Sequence, residues 1–240
     1  MLVVHQFITE PHPCAYLPGR TAELEYSVAP VLEAAEYEEL MNRGCRKFGL
    51  AFFRPVCEGC AMCRPIRFPL AEFQPDRSHR RALKRNADLE VRIGNPVCDM
   101  ERIELFRKYH LAQQDAKQWP YHKEGVEEYE FSFVRNQIPT SEVSIWENGR
   151  LLGALITENT PNVVSAVYHY HDPDLRDRSL GTFLILKCAE MARKMGKRWL
   201  YLGYYIEGCA SMEYKTRYQP CEIMGPDGLW RRRPEPSIDR

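Results

Sequence analysis

The polar stretch DPDLRDRSLGT at residues 172–182 opens a helical segment that gives way to the strand RWLYLGYY and then to the turn IEGCASMEYKTRYQP. On that helix Leu180, Phe183, Leu184, Cys188, Met191, Ala192 and Met195 recur at helical spacing, so one face buries against a sheet. A strand, helix, strand order closed by a polar turn gathers aromatic and basic residues at the end of the second strand. Such an arrangement suits the handling of a nucleotide.

The segments upstream define the sheet. SEVSIWE and RLLGALITE flank Asn148 and Gly149, a pair that tolerates positive φ and predicts a tight hairpin, and NVVSAVYHYH follows a turn at Pro161 and Asn162. In the first half, TAELEYSVA reads as a strand, VLEAAEYEELMNRG as a helix ending at Gly44, and CRKFGLAFF as a strand leading into cysteines. CRPIRFPLAEF is expected at a sheet edge, because Pro65 and Pro69 cannot donate to a ladder. A basic helix from Asp76, a short strand LEVRI and a helix from about Asp99 to Asp115 follow, and KQWPYHKEG reads as irregular.

Composition restricts the class. With 240 residues, 44% hydrophobic and 28% charged, the chain can form one large core or two smaller ones. Its 33 basic and 33 acidic residues cancel, so a nucleic-acid partner must be held by a local patch and not by the overall field. No run approaches the roughly 20 apolar residues of a membrane span, and MLVVHQFITEPHP lacks the pattern of a signal peptide. A cytoplasmic location is expected, and there nine cysteines read as reduced thiols or metal ligands.

Three local patterns carry chemistry. Cys57, Cys60 and Cys63 are spaced C-x-x-C-x-x-C around Gly59, and Cys14 in a proline-rich loop could supply a fourth thiolate for zinc or an iron–sulfur cluster; buried thiols beneath a turn are the alternative. Cys45, Cys98, Cys188 and Cys221 lack that spacing and read as small core residues. In DRSHRRALKRNADL, residues Arg77, Arg80, Arg81, Lys84 and Arg85 share one face, leaving Leu83 and Ala87 for the core; such a stripe matches phosphates along RNA, or else pairs with acidic neighbours. At the start of the 180s helix, Arg178 and the N–H groups of Leu180 and Gly181 could cradle a phosphate, although R-S-L-G-T keeps only part of the turn used by acetyl-coenzyme A enzymes. Simple capping by Ser179, with Arg178 exposed, is the competing reading.

The segments CAYLPGR, FRPVCEGCAMCRPIRFPLAEFQPDRSHRRALKRN, SAVYHYHDPDLRDRSLGT and YLGYYIEGCASMEYKTRYQP together resemble the bacterial aspartate/glutamate leucyltransferases, relatives of the eukaryotic arginyltransferases. The resemblance spans most of the chain. It implies an α+β, acetyltransferase-like (GNAT-type) mixed sheet flanked by helices at 76–240, preceded by a smaller cysteine-containing domain at 1–75. It implies transfer of an amino acid, leucine in first place, from aminoacyl-tRNA to proteins beginning with Asp or Glu in the N-end rule pathway, with no cofactor required for the transfer. The chain departs from the family pattern around Gln113 to Glu124 and at Glu158, Tyr205 and Ser211.

An aminoacyl ester is already activated, and about a tenth of an α-amine of pKa about 7.7–8.0 is neutral near pH 7. Alignment and oxyanion stabilisation are therefore the larger requirements. Asp172 and Glu158 are candidate bases or proton relays, Tyr168 an orienting group, and backbone N–H groups near the end of LYLGYY candidate oxyanion donors. An acidic N-terminus calls for a cation, for which Arg178, Lys215 and Arg217 are candidates, Lys215 or Arg217 alternatively holding the tRNA 3′ end. Tyr204, Tyr205 and Tyr214 could stack on the terminal adenine or pack in the core. A coenzyme A-dependent N-acetyltransferase and a non-catalytic RNA-binding module with a structural metal are the alternative functions.

Overall fold

The computed structural model describes residues 1–117 and 125–234. Most of KQWPYHKEG falls at 118–124, outside the described residues. In chain order the first elements are β1 (His5–Ile8), β2 (His12–Pro13), β3 (Thr21–Ala22), β4 (Leu24–Val28), α1 (Ala34–Met41), β5 (Arg46–Phe48), β6 (Ala51–Pro55) and β7 (Arg64–Pro69). Then come α2 (Arg77–Arg85), β8 (Glu90–Gly94), α3 (Met100–Lys117) and α4 (Val126–Tyr129), the last running into a π-helical turn at Glu130–Val134. The remainder is β9 (Thr140–Glu147), β10 (Arg150–Asn159), β11 (Val163–His171), a 3-10 segment at Pro173–Arg178, α5 (Leu180–Lys194), β12 (Trp199–Tyr205), α6 (Ala210–Glu213), a 3-10 turn at Tyr214–Arg217, β13 (Glu222–Met224) and β14 (Trp230–Arg232).

An eight-stranded mixed sheet runs β14-β13-β7-β12-β11-β10-β9-β8, and a four-stranded sheet runs β1-β4-β6-β5. The β9–β10 hairpin turns at Asn148 and Gly149 with φ of 51° and 80°, as the pair predicts. On one face of the large sheet, Phe183, Leu184, Cys188 and Ala192 of α5 pack against Phe68, Leu155, Val164 and Leu200. Each large apolar chain there is worth about 1.5–3 kcal/mol of burial. On the other face Ile103 and Phe106 of α3 and Tyr129 of α4 cover Ala154, Ile156 and Tyr170. Beside them, Leu32, Tyr37, Met41 and Phe52 of the first third cover Val163 and Tyr201, so the small sheet and the large one share a core. Met195 lies past the end of α5 and is exposed. No helix among the described residues is long and apolar enough to cross a membrane.

The prolines of β7 do not put it at an edge. The strand lies inside the sheet, between β12 and β13. Pro65 and Pro69 stand toward its ends, and β13 pairs only with Ile66 and Arg67, so neither proline has to donate to that neighbour. β7 thus precedes residue 75 in the chain yet completes the large sheet. The architecture is α+β with the acetyltransferase-like order of an antiparallel β9–β10–β11 meander, the α5 crossover and a parallel β12.

Candidate functional site

β11 and β12 pair only over Val163–Ser165 and Trp199–Tyr201. Beyond that point Ala166, Val167, Tyr168 and His169 are half-buried although their strand is interior to the sheet, so a slot opens between the two strands. A bulge in β12 shapes its far wall: the register against β7 shifts between Tyr201 and Tyr204, and Gly203 has a φ of 75°. The Gly203 carbonyl accepts a 3.0 Å bond from Arg46 Nη2. Behind the bulge Lys215 Nζ donates to the Tyr204 carbonyl at 2.7 Å and lies 3.8 Å from where a Cβ on Gly203 would sit. Burial, reinforced by the Arg46 charge, brings the Lys215 ammonium down to about 7.

Because β11 and β12 are parallel, the polar segments that follow them emerge at one end of the sheet. Leu175 and Tyr214 pack against the same core cluster, and Tyr214 lies within electrostatic reach of Tyr109, whose ring is 5.1 Å from His171. Gly181 opens α5 directly against β11, where a Cβ would approach His169 Cε1 to 3.1 Å. The α5 N-terminus therefore borders the slot. Ser179 occupies the N-cap in left-handed conformation without a side-chain cap bond, and the Leu180 side chain is buried.

The three candidate catalytic side chains do not converge. Glu158 pairs with Ser165 and Tyr168 with Ile156, while Asp172 lies just past β11. Seven residues of strand place Asp172 roughly 23 Å from the level of Glu158. Glu158 is sealed in a 2.7 Å ion pair with Lys47, both side chains nearly inaccessible, and Lys47 also donates to the Gly49 carbonyl at 2.7 Å and to Asn136 Oδ1. Asp172 is buried between Lys108, at 2.6 Å, and Arg150, and accepts the Asp174 N–H. Burial opposes its ionisation, but Lys108 and that N–H outweigh it and hold the carboxyl below its ordinary range. Tyr168 packs on the α3 face against Phe106 and Phe133, its hydroxyl 2.6 Å from His110 Nε2.

The basic helix forms as expected, with Asp76 capping the His79 N–H at 2.8 Å. Its phase differs: His79, Ala82 and Asn86 are buried, Leu83 is half-buried and Ala87 is exposed. His79 stacks on Tyr218 at 4.9 Å and Asn86 donates to the Ala82 and Arg178 carbonyls, so both polar chains are satisfied inside. Arg77, Arg80, Arg81, Lys84 and Arg85 are all exposed, and among the described residues none pairs with a carboxylate. Arg178 is a strut and not exposed: it bonds Asp88 at 2.6 Å, Glu147 at 2.7 Å and Asn86 Oδ1 at 2.9 Å. Arg217 is exposed.

Of the tyrosines, Tyr204 is buried with its hydroxyl on the Gly44 carbonyl and Arg46 over its ring, which is core packing. Tyr205 is flanked by the guanidinium groups of Arg64 and Arg233 at 5.3 and 5.2 Å. Tyr214 is half-buried beside the slot end. Cys14, Cys57 and Cys60 lie within electrostatic reach of Cys63, and burial followed by their charges raises the Cys63 thiol to about 12. Gly59 makes its turn with φ of 65°. Cys57, however, is turned toward the Glu23 backbone, accepting from its N–H at 3.4 Å, and among the described residues no three His, Cys, Asp or Glu side chains are arranged to hold a metal ion. The zinc or iron–sulfur expectation finds no support in this geometry. Cys45, Cys188 and Cys221 are buried as expected, and Cys98 is only half-buried.

Sequence reasoning missed Arg46, Lys47, Arg64 and Arg233. A glycine inside the strand pattern LYLGYY and the run Arg231–Arg232–Arg233 were the available signals.

Residues 101–225 match the family described as arginine-tRNA-protein transferase, C terminus, and residues 12–81 match arginine-tRNA-protein transferase, N terminus. An aspartate/glutamate leucyltransferase of Shewanella sp. (strain MR-4) is 34% identical over 222 residues, covering 92% of either chain. One from Pseudomonas syringae pv. tomato is 36% identical over 221 residues, covering 91% of this chain and 92% of the relative. Among solved structures, FemX superposes with a TM-score of 0.53 at 7% identity, over 91% of this chain and 85% of that one, a likeness of fold. A relationship of that identity along nearly the whole length, joined to both family matches, sets aside the acetyltransferase and the passive RNA-binding module: the chain belongs to the aspartate/glutamate leucyltransferases of the arginine-tRNA-protein transferase family and is an aminoacyltransferase.

Proposed function

We propose that the slot between β11 and β12 brings the aminoacylated 3′ end of leucyl-tRNA to the α-amine of a protein beginning with Asp or Glu, marking that protein for N-end rule degradation. The observation that carries this reading is the early loss of pairing between the parallel strands, which opens the sheet beside the Gly203 bulge, with the α5 N-terminus against His169 of β11. The neutral amine attacks the ester carbonyl, an amide forms, the bond to the ribose oxygen breaks, and the amine proton passes to that oxygen. Among the described residues Leu202–Tyr205 have no ladder partner on the β11 side, so backbone groups there can serve the oxyanion. Lys215, with its lowered pKa, can exchange a proton near neutrality behind the bulge. The exposed cations of α2 follow the tRNA backbone, and the N–H groups of Leu180 and Gly181 meet its terminal phosphate.

The reaction so written uses no cofactor and no step at Cys14, Cys57, Cys60 or Cys63. Residues 1–75 form the cysteine-containing unit and lend β7 to the transfer unit at 76–240. The cytoplasm suits nine free cysteines. Incubation with leucyl- and arginyl-tRNA separately, offering peptides that begin with Asp, Glu, Lys or Ala, tests the reading. Leucine should appear on the Asp and Glu peptides alone; preferential arginine transfer, or equal labelling of the Ala peptide, would overturn it.

A further inference from the structure

A reaction that selects an acidic first residue needs a cation near the slot, and the three candidates named from sequence serve poorly. Arg178 spends its donors on Asp88, Glu147 and Asn86, Arg217 is exposed, and Lys215 Nζ is bound to the Tyr204 carbonyl and Met212 Sδ. A second basic site lies past the bulge. At the end of β12 a pocket of about 370 Å³ is lined by Arg64, Tyr205, Glu207, Ile223, Pro226 and Arg233, among others. Arg231 and Arg232, which also line it, are neutralised by Asp227 at 2.7 Å and Glu72 at 2.6 Å. Among the described residues Arg64 meets a carboxylate at 3.5 Å only, that of the exposed Glu207. Among the described residues Arg233 Nη1 is buried without a hydrogen-bond partner, and both guanidinium groups bracket the Tyr205 ring. A buried, unsatisfied cationic donor is costly unless a ligand completes it.

We propose that Arg233 and Arg64 bind the side-chain carboxylate of the acceptor protein's first residue and set the enzyme's preference for Asp and Glu. Tyr205 follows Gly203 by two residues, roughly 7 Å along the strand. The slot lies on the β11 side of β12 and the pocket on its β7 and β13 side, so the acidic side chain reaches across the bulged end of β12 to the extended guanidinium groups. RNA phosphates have the exposed cations of α2 to contact, whereas here, with Arg231 and Arg232 neutralised, Arg64 and Arg233 present fork-shaped donors that suit a carboxylate.

The inference rests on the acceptor class proposed above, and one experiment separates the two. Arg233→Met and Arg64→Met are assayed for leucyl transfer to peptides differing only in Asp, Glu, Asn or Gln at the first position, with urea midpoints measured alongside. Each variant should lose roughly 10- to 100-fold in kcat/KM for Asp and Glu peptides, through KM, while the KM for leucyl-tRNA stays within about twofold. Arg233→Lys should recover part of the loss. If Arg233→Met fails to fold, Arg64→Met carries the test from the opposite wall. An unchanged Asp-to-Asn ratio, or a loss that falls on leucyl-tRNA instead, overturns the pocket. Wild-type enzyme that labels no acidic peptide overturns the acceptor class itself, and the pocket's role with it.

Discussion

Replacing Glu158 with Gln removes the negative half of an ion pair whose partner, Lys47, has a fully buried side chain. Stranding one member of a buried pair costs about 3–5 kcal/mol. Lys47 retains the Gly49 carbonyl and Asn136 Oδ1, which favours the lower end of that range. A loss of about 3 kcal/mol is a large part of the about 5–15 kcal/mol that holds a typical domain together. For a chain of this size it lowers the melting temperature by roughly 6–12 °C. Urea unfolding followed by far-UV circular dichroism should show the midpoint fall for Glu158→Gln. The double change Lys47→Met with Glu158→Leu should recover most of it, since no charge is left unpaired. Transfer by the folded fraction should persist. A Glu158→Gln protein that unfolds at the wild-type urea concentration yet transfers nothing would refute this and return Glu158 to the chemistry.

Removing two charges from α2, as Arg81→Ala with Lys84→Ala, should weaken tRNA binding roughly tenfold at about 0.15 M salt and reduce the slope of log affinity against log salt by about 1.5; an unchanged slope in filter binding would show that the stripe does not meet phosphates. Lys215 has a lowered folded pKa, so the unfolded chain binds the extra proton between about 7 and 10.4 and wild-type stability should rise with pH across that window. Lys215→Met should flatten this rise, as measured by urea midpoints at pH 6, 8 and 9.5. The depressed carboxyl of Asp172 contributes stability that is present above about pH 4 and lost as pH falls through its folded value. Asp172→Asn should remove that acid limb, and an identical acid-unfolding curve would contradict the Lys108 and Arg150 pairing.

Local rules were sufficient for elements whose signals are short-range. Asn148–Gly149 fixed a hairpin through positive φ, Asp76 started α2 through its cap, and the spacing of Leu180, Phe183, Leu184 and Cys188 chose the buried face of α5. Pairing across the chain could not be read that way. β7 lies inside the sheet because its prolines stand where β13 does not reach, and His79 and Asn86 displace Ala87 from the interior because tertiary partners satisfy them. Site chemistry divided along the same line. The polar segments after β11 and β12 share one end because the α5 crossover between them lets those strands run parallel, which their sequence order implies. Whether a carboxylate or guanidinium there is available depends on what lies opposite it: Lys47 closes off Glu158, Asp88 and Glu147 occupy Arg178, and Arg233, distant in sequence, keeps a donor unpartnered among the described residues. Residue type and spacing set the charges this chain carries, but only long-range packing decided which of them were spent holding the fold and which were left to meet a substrate.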